Sequence, residues 1–197
     1  MFAFRFFALW LGLLATTLIA GCAIHPPGGP QPGTEREIAD LTAQISSLGP
    51  NVDPEEAARA ARIAYEHTHR LALQYEITDP PLVHNTKVNM GLKPRGLCWH
   101  WAEDMERRLK QENFQTLRIH RAIANADNPF RIDHSTAIIS SQGAGMFDGV
   151  VLDPWRKGGV LFWAPTRTDT DYNWRPQREV LRQKRERARS RALLLSD

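Results

Sequence analysis

The first 33 residues divide into an apolar run and a Pro/Gly-rich segment, and this division limits where a folded domain can begin. A single arginine, Arg5, precedes the uncharged residues 6–20. That run has the length of the hydrophobic region of a signal peptide and is short for a membrane-spanning helix. Residues 25–33 are rich in proline and glycine, which predicts an extended tether. We therefore predict a signal peptide over residues 1–21 and a tether over residues 22–34.

The end of the apolar run carries a cysteine motif, Leu18-Ile-Ala-Gly-Cys22. This order of charge, apolar run, small residues and cysteine resembles the lipobox of bacterial lipoproteins. The resemblance implies cleavage before Cys22, its lipidation (palmitate among the acyl groups) and firm anchoring at a membrane. Ala23 after the cysteine implies the outer membrane, with the domain facing the periplasm. An ordinary signal peptide or an uncleaved anchor is the alternative, and neither requires a cysteine here.

Charge is concentrated at the C-terminus. Residues 175–197 carry eight Arg or Lys and three acids, which leaves −2 for the rest of a chain whose net charge is +3. The basic character therefore belongs to a tail over residues 176–197, and this argues against nucleic acid as a partner. We interpret the tail as a solvated helix face, with contact to anionic headgroups or cell-wall polymer as the alternative. Residues 35–175 are long enough for one domain with a core.

Cys98 is the second of two cysteines. If Cys22 carries lipid, Cys98 has no disulfide partner, and a lone cysteine is a poor zinc site. Pro94 and Gly96 place Cys98 in the first turn of an amphipathic helix, where the helix dipole and free N–H groups stabilise a thiolate. The alternative is a small, buried apolar side chain. The predicted buried face consists of Cys98, Trp101, Ala102, Met105 and Leu109.

A thiolate nucleophile requires an imidazole nearby and a group that orients the ring. Of the seven histidines, His134 comes with a suitable partner. It opens a predicted strand, and Asp153 ends the next one, with glycines between them for a reversal. A turn centred between Gly143 and Ala144 would place Asp153 directly opposite His134 on the same face of the sheet.

With these residues in hand, the chain resembles the papain-like cysteine hydrolases, and most closely their transglutaminase-like branch. That branch has a cysteine at a helix start, a histidine on a strand and an aspartate before proline on the next strand. Cys98, His134 and Asp153 match these positions within residues 96–163. Similar stretches occur in bacterial lipoproteins. The resemblance implies a thiol hydrolase or acyltransferase that acts on an amide bond through these three residues.

The chain departs from that branch at two places. Thr136 stands where an aromatic residue often follows the catalytic histidine. No papain-type glutamine precedes the nucleophile, and the nearest amides are Asn85 and Asn89. The donors of an oxyanion hole therefore stay unassigned, apart from the N–H group of Cys98.

Two other functions remain open. The stretch Gly96-Leu-Cys98-Trp-His-Trp101 is similar to the nucleophile helix of CHAP enzymes. A cell-wall amidase or endopeptidase of the NlpC/P60 or CHAP type would suit a periplasmic lipoprotein. A non-catalytic envelope lipoprotein would instead use the same scaffold to bind a partner. Peptide and peptidoglycan are the substrates considered, and nothing in the sequence indicates a bound metal or organic cofactor.

We predict a single α+β domain of papain-like/transglutaminase-like type, with the nucleophile helix packed on an antiparallel sheet. Asp53 is expected to begin the second helix, and Glu56 to complete a capping box with it. Before the nucleophile helix, we expect helices over residues 36–48 and 54–75. The expected strands cover residues 116–122, 134–141, 147–153 and 160–163.

Overall fold

The computed structural model describes residues 29–195, so Cys22 and the predicted signal peptide lie outside the described residues. Helices and strands combine in one α+β fold, as predicted. The elements are α1 (Glu35–Ser46), α2 (Pro54–Gln74), α3 (Pro81–Asn89), α4 (Cys98–Lys110), β1 (Leu117–Ala124), β2 (His134–Ser141), β3 (Val150–Asp153), β4 (Phe162–Pro165), β5 (Arg175–Pro176) and α5 (Gln177–Leu194).

The described fold begins inside the segment that the sequence assigned to the tether. Gly29 and Pro30 are both buried. Pro30 lies against Gly159, where it occupies space that a β-carbon would need. The last residues before α1 therefore pack on the domain.

The start of α2 fixes the helical layer to the sheet. Asp53 caps the helix by accepting the N–H groups of Glu55 and Glu56 at 2.8 and 2.9 Å. The predicted capping box is wrong in its other half, because the Glu56 carboxylate turns away from the cap. It accepts the N–H groups of Gln115 and Thr116 at 2.7 and 2.8 Å. These bonds satisfy backbone donors just before β1, where no strand partner is available.

Helices α1 and α2 pack closely because α2 presents small side chains to α1. Alanine at a helix contact lets two helix axes approach. The buried alanines of α2 are Ala57, Ala60, Ala61 and Ala64. They share a core with Ile38, Leu41 and Ile45 of α1.

The five strands form one sheet in the order β4-β3-β2-β1-β5, and all neighbours are antiparallel. The strand predicted over residues 134–141 has those bounds. The next strand is shorter than predicted, because Met146–Asp148 forms a 3₁₀ turn. Helix α4 packs on the sheet, with Met105 and Leu109 in one core with Ala137 and Ile139 of β2. This arrangement fixes the start of α4 close to the start of β2.

Two further helices, α3 and α5, bury few side chains. Helix α3, which the sequence did not predict, begins at Pro81 without a side-chain cap and buries only His84. Helix α5 buries only Val180. No helix among residues 29–195 is both long and apolar enough to cross a membrane.

Candidate active site

Cys98 is the first residue of α4, and only 7% of it is exposed. Its thiol donates a hydrogen bond to the main-chain oxygen of Asp133 at 3.5 Å. This contact joins the start of α4 to the residue before β2, so the thiol lies beside His134. The first N–H groups of α4 have no acceptor within the helix, and their dipoles favour negative charge at this end.

The turn before Cys98 is fixed by a buried glycine. Gly96 has φ +125°, and an ideal β-carbon there would lie 2.4 Å from Nε2 of the buried His84. The N–H groups of Gly96 and Leu97 donate to Nδ1 of His100 at 3.1 and 3.2 Å. The Trp101 indole N–H donates to the Gly96 carbonyl at 3.0 Å. Side chains of α4 thus hold the chain at the angle that brings Cys98 to the sheet.

His100 is close to Cys98 in sequence but is used as a cap. Its Nδ1 accepts two backbone N–H groups, which requires that nitrogen to carry no proton. Burial, and after it the positive charge of Arg95, lowers the pKa of His100. His100 therefore caps the start of its own helix and is not available as a base for Cys98.

His134 is the first residue of β2, Asp153 is the last residue of β3, and both are 1% exposed. The imidazole donates through Nε2 to Oδ2 of Asp153 at 2.6 Å. All three residues singled out from the sequence therefore meet where α4, β2 and β3 converge. A buried carboxylate in this position fixes both the ring orientation and the tautomer of the histidine.

The predicted register of this hairpin is wrong by two residues. Ala137 is paired with Leu152, so Asp153 faces Thr136 and not His134. The 3₁₀ turn Met146–Asp148 moves the reversal toward β3. A shift by two residues keeps side chains on the same face, and diagonal neighbours are within reach of long side chains. Asp153 therefore contacts His134 diagonally.

The electrostatic setting of His134 favours its charged form. Burial alone would lower the pKa of His134, but the charge and hydrogen bond of Asp153, followed by the interaction with Cys98, raise it to about 9. Asp153 and Cys98 thus favour the imidazolium form of His134 over the neutral ring. Its Nδ1 atom is buried and has no hydrogen-bond partner among residues 29–195. Since Asp153 occupies Nε2, Nδ1 is the nitrogen available for proton exchange with Cys98.

Three aromatic rings enclose His134. The ring centres of Trp155, Tyr172 and Trp174 lie 4.7, 4.5 and 5.4 Å from the imidazole. The Trp155 indole N–H donates to Oδ1 of Asn85 at 3.0 Å, and this bond connects α3 to one of the three rings. The rings exclude water from the pair and so strengthen the attraction between imidazole and carboxylate.

A mostly buried arginine, Arg156, bonds Asp153, and the sequence did not predict it. Arg156 donates through its backbone N–H and Nε to Asp153, and through Nη1 and Nη2 to Asp169. Burial raises the pKa of Asp169, but hydrogen bonds from Arg156 and Trp174 outweigh it and lower the pKa. The position of Arg156, three residues after Asp153, is the sequence feature from which this contact could have been predicted. Asp169 and Tyr172 lie in a loop whose path no local pattern predicts.

The arrangement can support nucleophilic chemistry at sulfur. It joins a thiol at a helix start, an imidazole with one free nitrogen and a carboxylate that fixes the ring. No group of three or more His, Cys, Asp or Glu residues in the described part of the chain could hold a metal ion.

No protein-family model matches this chain, and comparisons with curated proteins and with solved structures give no significant match. A functional assignment therefore rests on the geometry of Cys98, His134 and Asp153.

Proposed function

We propose that the domain is a thiol hydrolase or acyltransferase that acts on an amide or related acyl bond, on a papain-like/transglutaminase-like fold. The observation that carries the proposal is the state of His134. Its Nε2 bonds Asp153 at 2.6 Å, and its buried Nδ1 has no hydrogen-bond partner among residues 29–195. The core residue His84 also leaves its Nδ1 without a partner, so the features that distinguish His134 are the carboxylate on its other nitrogen and its interaction with Cys98.

In the proposed reaction, Cys98 is the nucleophile, His134 the acid and base, and Asp153 the orienting group. The sulfur attacks the carbonyl carbon, and Nδ1 of His134 carries the thiol proton. Cleavage of the acyl bond transfers that proton to the leaving amine and leaves a thioester on Cys98. Water or another acceptor then attacks the thioester, gives its proton to Nδ1 and releases the acyl group. We assign the backbone N–H of Cys98, at the start of α4, as one donor to the negative carbonyl oxygen.

We further propose that the chain is a lipoprotein anchored through Cys22, as the lipobox resemblance implies, and that its substrate is peptide or peptidoglycan in the periplasm. Lipid attachment is tested by Cys22→Ala in cells fed labelled palmitate. The variant should lose the label. Undiminished labelling would remove the anchor from the proposal and leave the thiol chemistry untouched.

A second candidate is a non-catalytic envelope scaffold, and the observation in its favour is burial. Cys98 is 7% exposed and three rings enclose His134. A free cysteine in such a place can be a small apolar side chain. The two candidates differ in whether the sulfur can be acylated.

The experiment that separates them is trapping of the thioester. The protein is mixed with an activated ester, and the acylated peptide is located by mass spectrometry. We expect acyl transfer to Cys98, loss of it in Cys98→Ser and a strong decrease in His134→Ala. His120→Ala is the matched control, because His120 is a half-buried histidine of β1 bonded to Ser140. Absence of acylation at Cys98 in the wild type would favour the scaffold.

A further inference from the structure

Arg156 lies just after Asp153, is mostly buried and contacts two aromatic rings. Its side chain is 11% exposed, and its guanidinium carbon lies 3.9 Å from the ring centre of Phe162 and 4.6 Å from that of Tyr172. A buried guanidinium requires partners for its charge and for its N–H groups. Asp153 and Asp169 supply both.

On one side, the arginine limits the rotation of the carboxylate that binds His134. Oδ2 of Asp153 accepts from His134 at 2.6 Å and from Nε of Arg156 at 3.1 Å. Oδ1 accepts the backbone N–H of Arg156 at 3.2 Å. With both oxygens bonded, the carboxylate cannot turn without losing a bond to Arg156. The angle at which Asp153 meets the imidazole therefore depends on Arg156.

On its other side, the arginine holds in place one of the three aromatic rings around His134. Nη1 and Nη2 donate to the two oxygens of Asp169 at 2.8 and 2.7 Å, a planar arrangement that lysine cannot reproduce. Asp169 also accepts the indole N–H of Trp174 at 2.9 Å, and the Trp174 ring contacts His134. The contacts close a circuit through His134, Asp153, Arg156, Asp169 and Trp174.

We propose that Arg156 is a positioning residue of this site, which acts through Asp153 and Asp169 without touching the reacting atoms. The proposal rests on the proposed function, since it assigns Arg156 to the same reaction. Charge balance supports it, because the two carboxylates of the circuit are matched by Arg156 and a protonated His134. The titratable and charged groups around the imidazole are Cys98 of α4, Asp153 at the end of β3, Arg156 after that strand, Asp169 and Tyr172 of the loop after β4, and Arg131 before β2, which lies over the Tyr172 ring.

Three variants of the full chain test this role, with the titration of His134 followed by NMR of carbon-13-labelled histidine. Arg156→Gln leaves the charge of Asp153 unshared, so the His134 midpoint should rise by about one pH unit. Asp169→Asn leaves the charge of Arg156 to Asp153 and to the exposed Asp171, so the midpoint should fall by up to about one pH unit. Arg156→Lys keeps the charge and should stay near the wild type. General loosening of the site would instead lower the midpoint in all three variants.

Opposite shifts in Arg156→Gln and Asp169→Asn support the proposal, and a fall in both overturns it. If Arg156→Gln does not fold, Asp169→Asn and Arg156→Lys decide together. A fall in Asp169→Asn with Arg156→Lys near the wild type supports the circuit, and an unchanged or raised midpoint in Asp169→Asn, or a fall in both variants, contradicts it. In the same variants, acyl transfer to Cys98 should drop about tenfold in Arg156→Gln and recover in part in Arg156→Lys, because a displaced imidazole no longer meets the thiol although its charged form is no less stable. Failure of the proposed function has a different signature. Cys98 alkylation would then be insensitive to His134→Ala, while the opposite shifts in the His134 titration persist.

Discussion

The turn before the nucleophile helix offers a stability test with an internal control. Gly96 and Gly91 both have positive φ, +125° and +73°. An ideal β-carbon on Gly91 meets nothing within 4 Å, whereas one on Gly96 would lie 2.4 Å from Nε2 of His84. Both substitutions to alanine meet a positive φ, which is less favourable at Gly96 because +125° lies outside the left-handed α region, and only the one at Gly96 adds a steric clash.

The expected costs follow from these two contributions. Gly91→Ala should lower the free energy of unfolding by about 1–2 kcal/mol, the cost of positive φ for a residue with a β-carbon. Gly96→Ala should add about 1–3 kcal/mol, the cost of inserting a methyl group into a packed core. His84 cannot move easily, because it is 1% exposed and its Nε2 bonds to the Arg95 carbonyl at 2.8 Å.

Urea unfolding of both variants measures the difference, and His84→Ala in the Gly96→Ala background identifies its source. With His84→Ala alone as the reference, Gly96→Ala should cost less than it does in the wild type, since the two residues are in contact. Gly96→Ala should also change the rate of Cys98 alkylation, which Gly91→Ala should leave unchanged. Equal losses of stability in the two glycine variants, or an undiminished cost of Gly96→Ala in the His84→Ala background, would refute this steric reasoning.

Two further predictions concern charge. Because the pKa of His134 is raised to about 9, its pairing with Asp153 stabilises the fold fully below pH 6.5 and this stabilisation is lost as pH rises through about 9. The difference in unfolding free energy between wild type and His134→Gln should therefore shrink by up to about 3 kcal/mol between pH 6 and pH 10, and a difference that grows with pH would contradict this sign. Deletion of residues 182–197 should cost about 1 kcal/mol, or a few degrees in Tm, because the ion pairs of α5 beyond Val180 are exposed. Insoluble protein would show that the leucines at the end of α5 dock on the domain.

The sequence predicted those parts of the site that depend on local patterns. The periodic apolar residues of α4 and the glycine before it located Cys98 at a helix start. Alternation in residues 134–141 gave the bounds of β2 and placed His134 at its beginning. Asp153 before a proline marked the end of β3. Each of these inferences uses residues within one or two helical turns or strand lengths of each other.

The remaining parts depend on contacts between distant segments. Helix α3 escaped prediction because it has no side-chain cap and no apolar periodicity. The hairpin register depends on the 3₁₀ turn Met146–Asp148, and counting residues between the two strands does not reveal that turn. The Glu56 carboxylate accepts backbone N–H groups about 60 residues away, and Arg156 bonds Asp169 across a loop. Such pairings are set by packing, which local sequence does not encode.

The reactivity of Cys98 as a function of pH tests the central proposal most directly. Iodoacetamide alkylation is measured from pH 5 to pH 9, with the labelled peptide identified by mass spectrometry, in wild type, His134→Ala and the control His120→Ala. A neighbouring imidazolium favours the thiolate, so wild type and control should be alkylated several-fold faster than His134→Ala near neutral pH. Equal rates in wild type and His134→Ala across the whole range would contradict the pairing of Cys98 with His134 and leave the scaffold function in its place.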